Sequence, residues 1–135
     1  MRVLPGIMLL LAVLFTNFSK AQNPTASIEM VLFEMTQHNV YESASLGFAA
    51  TVSAQYKRYL QVKKLATSKQ LIHLATNHHN AVVRLYALKA LKENKNEIPG
   101  LVEQQFSNDS STVQIFIGCI KDVKKVSDVS ALYIY

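Results

Sequence analysis

The side chains best suited to metal chemistry in this sequence are its four histidines, His38, His73, His78 and His79. A zinc site needs three or four converging ligands, often two histidines four positions apart on one helix. His73 and His78 are five positions apart, and no cysteine stands near them. We therefore predict no metal site and no cofactor, and His73, His78 and His79 are the only candidate metal ligands.

The single cysteine and the serines do not form a recognisable nucleophilic motif. Cys119 lies in the apolar run Ile115–Ile120, which predicts a buried small side chain, with a nucleophile or an intermolecular disulfide as the alternatives. The sequence has no glycine-rich phosphate loop, no Gly-x-Ser-x-Gly elbow and no His-Glu-x-x-His motif. No pair of carboxylates stands in an apolar setting, as an acid and a base would. We predict that the protein is not an enzyme, with a metal-dependent enzyme or an enzyme accessory subunit as one alternative.

A third cluster of reactive groups is basic and lies in the middle of the chain. Its members are Lys57, Arg58, Lys63, Lys64 and Lys69, with Tyr56 and Tyr59 among them. Such a patch could bind anionic polymers or lipid headgroups. An envelope protein that associates weakly with an anionic surface is therefore the second alternative. Solvated lysines around two core tyrosines are the simpler interpretation.

The first 21 residues have the three parts of a cleavable signal peptide. These are Arg2, the apolar segment Ile7–Phe15 and the small-residue site Ser19-Lys20-Ala21. The apolar segment is shorter than the roughly 20 residues of a membrane span, so we expect cleavage after Ala21 and export to the periplasm or the medium. The remaining 114 residues suffice for one domain. Their 12 Lys and Arg against 9 Asp and Glu leave a net charge of about +3, which does not favour nucleic-acid binding.

Helix signals dominate residues 22–135. Asn23 before Pro24 predicts a helix start, Asn80 is a suitable N-cap, and Thr67 with Gln70 matches a capping box. Ser111 with Gln114 matches a second capping box. The predicted helices span about 23–38, 43–66, 81–93, 99–106 and 112–121, with a short helix after the Thr67–Gln70 capping box that Asn77-His78-His79-Asn80 ends.

Two stretches of the chain align when one is shifted by 30 residues. In this alignment Leu71 and Ile72 correspond to Leu101 and Val102, and the apolar positions of 83–90 correspond to those of 113–120. Only apolar positions and the intervening polar turn agree, as they would in two stacked helical hairpins. Such hairpins are the unit of an α-solenoid.

The first of these units resembles a HEAT repeat. HEAT-like repeats commonly carry a polar residue, then Val-Arg, then Ala, then Ala-Leu. In this sequence the matching residues are Asn80, Val83, Arg84, Ala87, Ala90 and Leu91. The resemblance implies that Asn80 and Arg84 tie neighbouring turns together and that the protein is a scaffold for other proteins. The second unit departs from the pattern, because Gln114 stands where the arginine would.

Together these patterns predict an all-α protein. It is a short stack of antiparallel helical hairpins, a HEAT-like α-solenoid of about six helices in a single domain over residues 22–135. The leading functional hypothesis is an exported protein-interaction or scaffold module whose partner is another protein. The apolar end of the sequence, 131–135, either folds back onto the last hairpin, or awaits a partner, or is normally followed by more chain.

Overall fold

The computed structural model describes residues 27–134, so the predicted signal peptide and its cleavage site lie outside the described residues. Six helices and four strands are formed within that range. The helices are α1 (Ile28–His38), α2 (Ala54–Leu65), α3 (Ser68–Asn77), α4 (Ala81–Glu93), α5 (Gly100–Ser107) and α6 (Val126–Leu132). The strands are β1 (Val40–Leu46), β2 (Thr51–Val52), β3 (Thr112–Gly118) and β4 (Ile120–Lys125).

Local capping groups define the starts of α3 and α4. Thr67 and Gln70 form the predicted capping box: the Gln70 N–H donates to the Thr67 hydroxyl, and the Thr67 N–H donates to the Gln70 side chain. At α4, Asn80 Oδ1 accepts from the N–H groups of Val82 and Val83. These side chains satisfy backbone donors that have no partner inside the helix. Both helices accordingly begin where the sequence predicts.

The four strands form one sheet in the order β2-β1-β3-β4. Its central pair, β1 and β3, is parallel and places Val40 opposite Gln114, whereas each outer strand is antiparallel to its neighbour. Parallel strands cannot be joined by a tight turn and need a long crossover. Here the crossover carries β2 and the four helices α2 to α5. Pairing of the sheet therefore depends on contacts between distant parts of the sequence.

The core lies between the sheet and the helices, with α4 at its centre. Eight of the 13 residues of α4 are buried, so this helix has neighbours on nearly every side. From the sheet, Tyr41, Val113 and Ile115 face this core. The short helix α6 adds Val126 and Val129. The buried residues of α4 are Val82, Val83, Leu85, Tyr86, Ala87, Leu88, Ala90 and Leu91.

The predicted all-α, HEAT-like stack of hairpins is wrong, because the chain forms a mixed four-stranded sheet beside its helices. Residues 43–66 do not form one helix: the first part is in β1 and β2, and only Ala54–Leu65 is helical. Residues 112–121 lie in β3, a turn and the start of β4. Val113 and Ile115 are buried, with exposed Gln114 between them. That alternation is typical of a strand.

The 30-residue repeat holds for only half of its length. Helices α3 and α5 correspond under this shift, but α4 corresponds to the β3–β4 hairpin. The apolar spacing of α4 gives a false match because a helix buried nearly all round also buries residues two positions apart, such as Val83 and Leu85.

The structure also bears on two predictions for the last part of the chain. Cys119 is exposed in the β3–β4 turn and not buried. The apolar segment folds back onto the core as far as residue 134, because Ile134 is buried.

Candidate functional site

The junction between α1 and β1 brings a histidine and a buried glutamate together. Helix α1 ends at His38, Asn39 turns the chain with a positive φ of 50°, and β1 follows at once. His38 Nε2 lies 2.6 Å from Glu42 Oε1, and the hydroxyl of Ser53 donates to Glu42 Oε2 at 2.6 Å. Glu42 is only 6% exposed. Its carboxylate therefore depends on these two partners in place of water.

This Ser–Glu–His group does not have the geometry of a nucleophilic triad. In such a triad the histidine lies between the nucleophile and the acid, whereas here the carboxylate lies between the other two. Ser53 is also buried, and its oxygen accepts from the Tyr56 N–H as the N-cap of α2. We infer that Ser53 joins α2 to β1 and has no access to a substrate.

A tyrosine from the central helix holds the same part of β1 from the other side. The Tyr86 hydroxyl accepts from the Glu42 N–H at 2.9 Å and donates to the Glu42 carbonyl at 2.8 Å. Its ring lies against Tyr41 with the ring centroids 4.7 Å apart. Burial is the main cause that raises the pKa of the Tyr86 phenol above its ordinary value. The neutral hydroxyl can thus both donate and accept, and it fixes β1 onto α4.

The face of the sheet that points away from the helices carries a groove of about 630 Å³. Apart from His38 at the end of α1, every residue that lines it belongs to a strand. The register places successive residues of β1, β3 and β4 side by side there. We define the sheet groove by six of its residues, Val40, Glu42, Gln114, Phe116, Lys121 and Val123.

The sheet groove combines apolar and basic groups. Val123 is 57% exposed although it is apolar. Lys121 Nζ lies 4.6 Å from the centre of the Phe116 ring, a cation–π distance. Lys125 is exposed on β4 and, from its pairing with Thr112, lies on this same face. Two acidic groups line the groove, and both have partners: Glu42 is bonded to His38 and Ser53, and Asp122 is bonded to Lys124. The arrangement suits a ligand that is apolar and carries negative charge.

The candidate metal ligands do not converge. His78 and His79 stack on each other with centroids 4.5 Å apart, and the Asn80 N–H donates to His78 Nδ1. Burial, followed by the neighbouring His79, lowers the pKa of His78. His73 is exposed on α3. Across residues 27–134, no three side chains of His, Cys, Asp or Glu gather as a metal site requires.

The residues that carry the resemblance to HEAT repeats occupy a polar junction and the buried helix. Asn80 caps α4 and donates to the Asn39 side chain at 2.8 Å. Arg84 donates to the carbonyls of His78 and His79 and to Asp109 Oδ2 at 2.8 Å. The two side chains thus link three turns. Val83, Ala87, Ala90 and Leu91 are buried in the core.

Ionisation of Asp109 at this junction is set by opposing effects. Burial opposes the charged form, but hydrogen bonds from Ser111 and from Arg84 outweigh it and lower the pKa of Asp109. Ser111 was predicted to begin a helix. In the structure its hydroxyl and N–H both donate to Asp109, immediately before β3.

The predicted basic patch is divided by ion pairs. Arg58 donates to Glu34 at 3.0 Å and to Gln55, and Lys63 donates to Glu93 at 2.7 Å. The other three cations of the patch, Lys57, Lys64 and Lys69, are exposed. Their positions on two helices do not form a groove with the tyrosines, because Tyr59 is fully buried.

The residues of the sheet groove were not among the candidates from sequence. Alternate residues of Thr112–Gly118 point to opposite faces, and this pattern could have indicated a strand with one buried face. The same pattern places Gln114 and Phe116 on the other face. Nothing in the sequence indicates that Glu42 is buried, because its burial depends on contacts with His38 and Ser53 that form only in the fold.

Comparisons with known proteins identify no relative of this chain. No protein-family model, curated protein or solved structure matches this chain. They therefore neither support nor refute the resemblance to HEAT repeats. None of the helices between residues 27 and 134 has both the length and the apolar character of a membrane span.

Proposed function

We propose that the protein is an exported interaction module without catalytic activity, which binds an acidic, partly apolar segment of another protein in the sheet groove. The observation that carries this proposal is the uncovered face of the parallel pair β1–β3. A sheet with one solvated face usually carries polar residues on that face, whereas this face carries the apolar Val40, Phe116 and Val123. Here helices cover one face, and strands line the groove on the other.

The apolar residues of the groove provide the free energy of association in this proposal. Val123 and the half-buried Val40 and Phe116 lie on adjacent strands, so one bound segment could cover all three. Burial of apolar surface contributes about 25 cal/mol per Å². A clustered apolar surface of this kind on a small protein is typical of a binding site.

The charges around the groove determine which partner fits. Lys121 and Lys125 lie on the groove face, while Glu42 is occupied by His38 and Ser53. Asp122 is bonded to Lys124 at the edge strand. The partner should therefore present Asp or Glu beside its apolar residues. Such complementarity increases the association rate and favours the correct partner.

The experiment compares capture by matched variants. The purified protein and its Val123→Asp variant are incubated with the envelope fraction of the native host, and captured proteins are quantified. Leu101→Asp is the control, since Leu101 is more exposed than Val123 but lies on α5. We expect Val123→Asp to reduce capture of a partner about tenfold or more and Leu101→Asp to leave it unchanged.

The charge requirement is tested on the same captured protein. Lys125→Glu and added salt should both weaken its binding, because the proposed contact is electrostatically complementary. Capture that is equal for wild type and Val123→Asp would exclude the sheet groove. Capture that depends on Val123 but is unaffected by salt and by Lys125→Glu would exclude an acidic partner.

A further inference from the structure

Two turns at one end of the sheet together form an exposed apolar surface. The β1–β2 turn and the β3–β4 turn lie side by side, and the Gly47 N–H donates to the Gly118 carbonyl at 2.8 Å. Phe48 at the top of the first turn is fully exposed. We name this surface the apolar tip; its residues are Phe48, Ala49, Ala50, Val52, Cys119 and Ile120, all of them exposed.

The chemistry of the apolar tip is unusual for a protein surface. Residues 43–56 contain no Asp, Glu, Lys, Arg or His, although most of the stretch is exposed. Single exposed apolar residues are common, but a contiguous group marks an interaction site. The first turn is also ordered: Gly47 has a φ of +69°, and the Ala50 N–H donates to the Gly47 carbonyl. Phe48 is therefore held outward and is not covered by its own turn.

Two lysines follow the apolar tip closely in sequence. Lys121 follows Ile120 directly, and Lys57 lies in the first turn of α2, which begins two residues after β2. Both lysines are exposed. The nearest carboxylates are occupied, because Glu42 is bonded to His38 and Ser53, and Asp122 is bonded to Lys124. Apolar residues at a projecting point with lysines behind them are the arrangement of a protein that inserts shallowly into a charged bilayer surface.

We propose that the apolar tip inserts into the interfacial region of a lipid bilayer, with Lys57 and Lys121 contacting anionic headgroups. A bilayer fits the tip better than a protein pocket does, because Phe48 is fully exposed at the top of its turn and a fluid surface can adapt to it. The apolar tip shares Lys121 with the sheet groove but none of its apolar residues. Phe48→Ser therefore tests membrane attachment, and Val123→Asp tests partner binding, each without changing the other site.

The first test is flotation with vesicles. It uses the chain from residue 22 onward, which contains every core residue described above, because the predicted leader would itself bind lipid. Vesicles of phosphatidylcholine are compared with vesicles in which a quarter of the lipid is phosphatidylglycerol. We expect the wild type to bind the anionic vesicles. Phe48→Ser should weaken this binding about tenfold, because the free energy of burying a phenylalanine side chain corresponds to roughly that change in affinity.

The charge part of the proposal has its own matched pair. Lys57→Glu with Lys121→Glu should reduce binding at least about tenfold at low salt. Lys64→Glu with Lys69→Glu makes the same change in net charge away from the tip, so its reduction should be clearly smaller. Leu101→Ser is the apolar control for Phe48→Ser, because Leu101 is also highly exposed and lies on α5.

The lone cysteine provides a direct readout of insertion. Cys119 is exposed within the apolar tip and is the only cysteine of the chain, so an environment-sensitive fluorophore can be attached there. A blue shift with anionic vesicles, together with quenching by brominated lipid, would support the proposal. Absence of both, or equal flotation of wild type and Phe48→Ser, would overturn it. Crosslinking from Cys119 to a protein, without vesicle binding, would overturn it in favour of a protein partner.

Discussion

The two faces of the sheet are built from alternate residues of the same strands and have opposite environments. On the helix side, Tyr41 and Ile115 are buried against α4, and Tyr41 packs on Tyr86. On the other side, their neighbours Val40 and Gln114 line an open groove. The difference implies that one face stabilises the fold, and that the exposed residues Gln114 and Val123 of the other face can be changed without unfolding it. Glu42 is the exception on the groove face, because it is buried and bonded to His38 and Ser53.

The largest expected difference between the two regions is in apolar truncation. Leu85→Ala on α4 should lower the free energy of unfolding by about 3 kcal/mol, because it leaves a cavity in a fully buried site. Leu101→Ala, the same change at an exposed position, should stay within about 0.5 kcal/mol. Urea unfolding of both variants measures the difference. Equal losses would show that α4 is not the centre of the core.

The next largest effect concerns the hydroxyl that fixes β1 onto α4. Tyr86→Phe should cost about 2 kcal/mol, because it removes the partner of both the N–H and the carbonyl of Glu42 in a buried setting. Tyr41→Phe is the control, since within residues 27–134 the Tyr41 hydroxyl makes one long hydrogen bond of 3.5 Å, to the Tyr133 carbonyl. Thermal and urea unfolding should rank the two variants in this order. A smaller loss for Tyr86→Phe than for Tyr41→Phe would contradict the double hydrogen bond.

A matched pair of valines tests the two faces directly. Val113 on β3 is 5% exposed and faces the helices, whereas Val123 on β4 is 57% exposed and faces the groove. Val113→Thr should cost about 1.5 kcal/mol, because it buries a hydroxyl without a designed partner. Val123→Thr should change stability by less than about 0.5 kcal/mol. Both substitutions keep a β-branched side chain, so strand propensity does not explain a difference between them. Equal costs would mean that the groove face is covered in solution.

The parts of the fold that could be predicted are those fixed by neighbours in sequence. The helix over 81–93 was predicted with its N-cap Asn80, and the Thr67–Gln70 capping box is present. Asn23 and Pro24, proposed as the start of the first helix, lie outside the described residues, and α1 itself begins at Ile28. Caps act over three or four residues, so one sequence suffices to find them.

The sheet could not be predicted in the same way. Its central pair joins Val40 to Gln114, and no local turn signals a parallel pairing over that distance. The prediction of one helix over residues 43–66 also did not treat Gly47 as a turn residue. In the structure Gly47 turns the chain with a positive φ. The sheet groove and the apolar tip both depend on these strands. For that reason neither site was among the candidates, although Phe48 lay within the segment interpreted as a helix.

The smallest expected effect concerns the pH dependence of the helix layer. Glu93 on α4 accepts hydrogen bonds from Tyr59, Lys63 and Lys89. Burial opposes its ionisation, but these bonds outweigh burial and lower the pKa of Glu93 to about 2 from 4.5. A carboxyl group whose pKa is lowered by folding stabilises the folded state above the unfolded pKa, and this contribution is lost as the pH falls.

Glu93 should therefore contribute stability that is complete above about pH 5 and disappears between pH 4.5 and about 2. We expect a contribution of about 1 kcal/mol, because solvent reaches the carboxylate and screens its ion pairs. In Glu93→Gln, the difference in unfolding free energy from wild type should shrink across this window. Glu103→Gln, at an exposed position of α5, controls for the loss of one negative charge. If the difference in unfolding free energy between Glu93→Gln and wild type is the same at every pH, the contribution of Glu93 comes from hydrogen bonding alone. Titration of Glu93 would then not reduce the stability of the helix layer in acid.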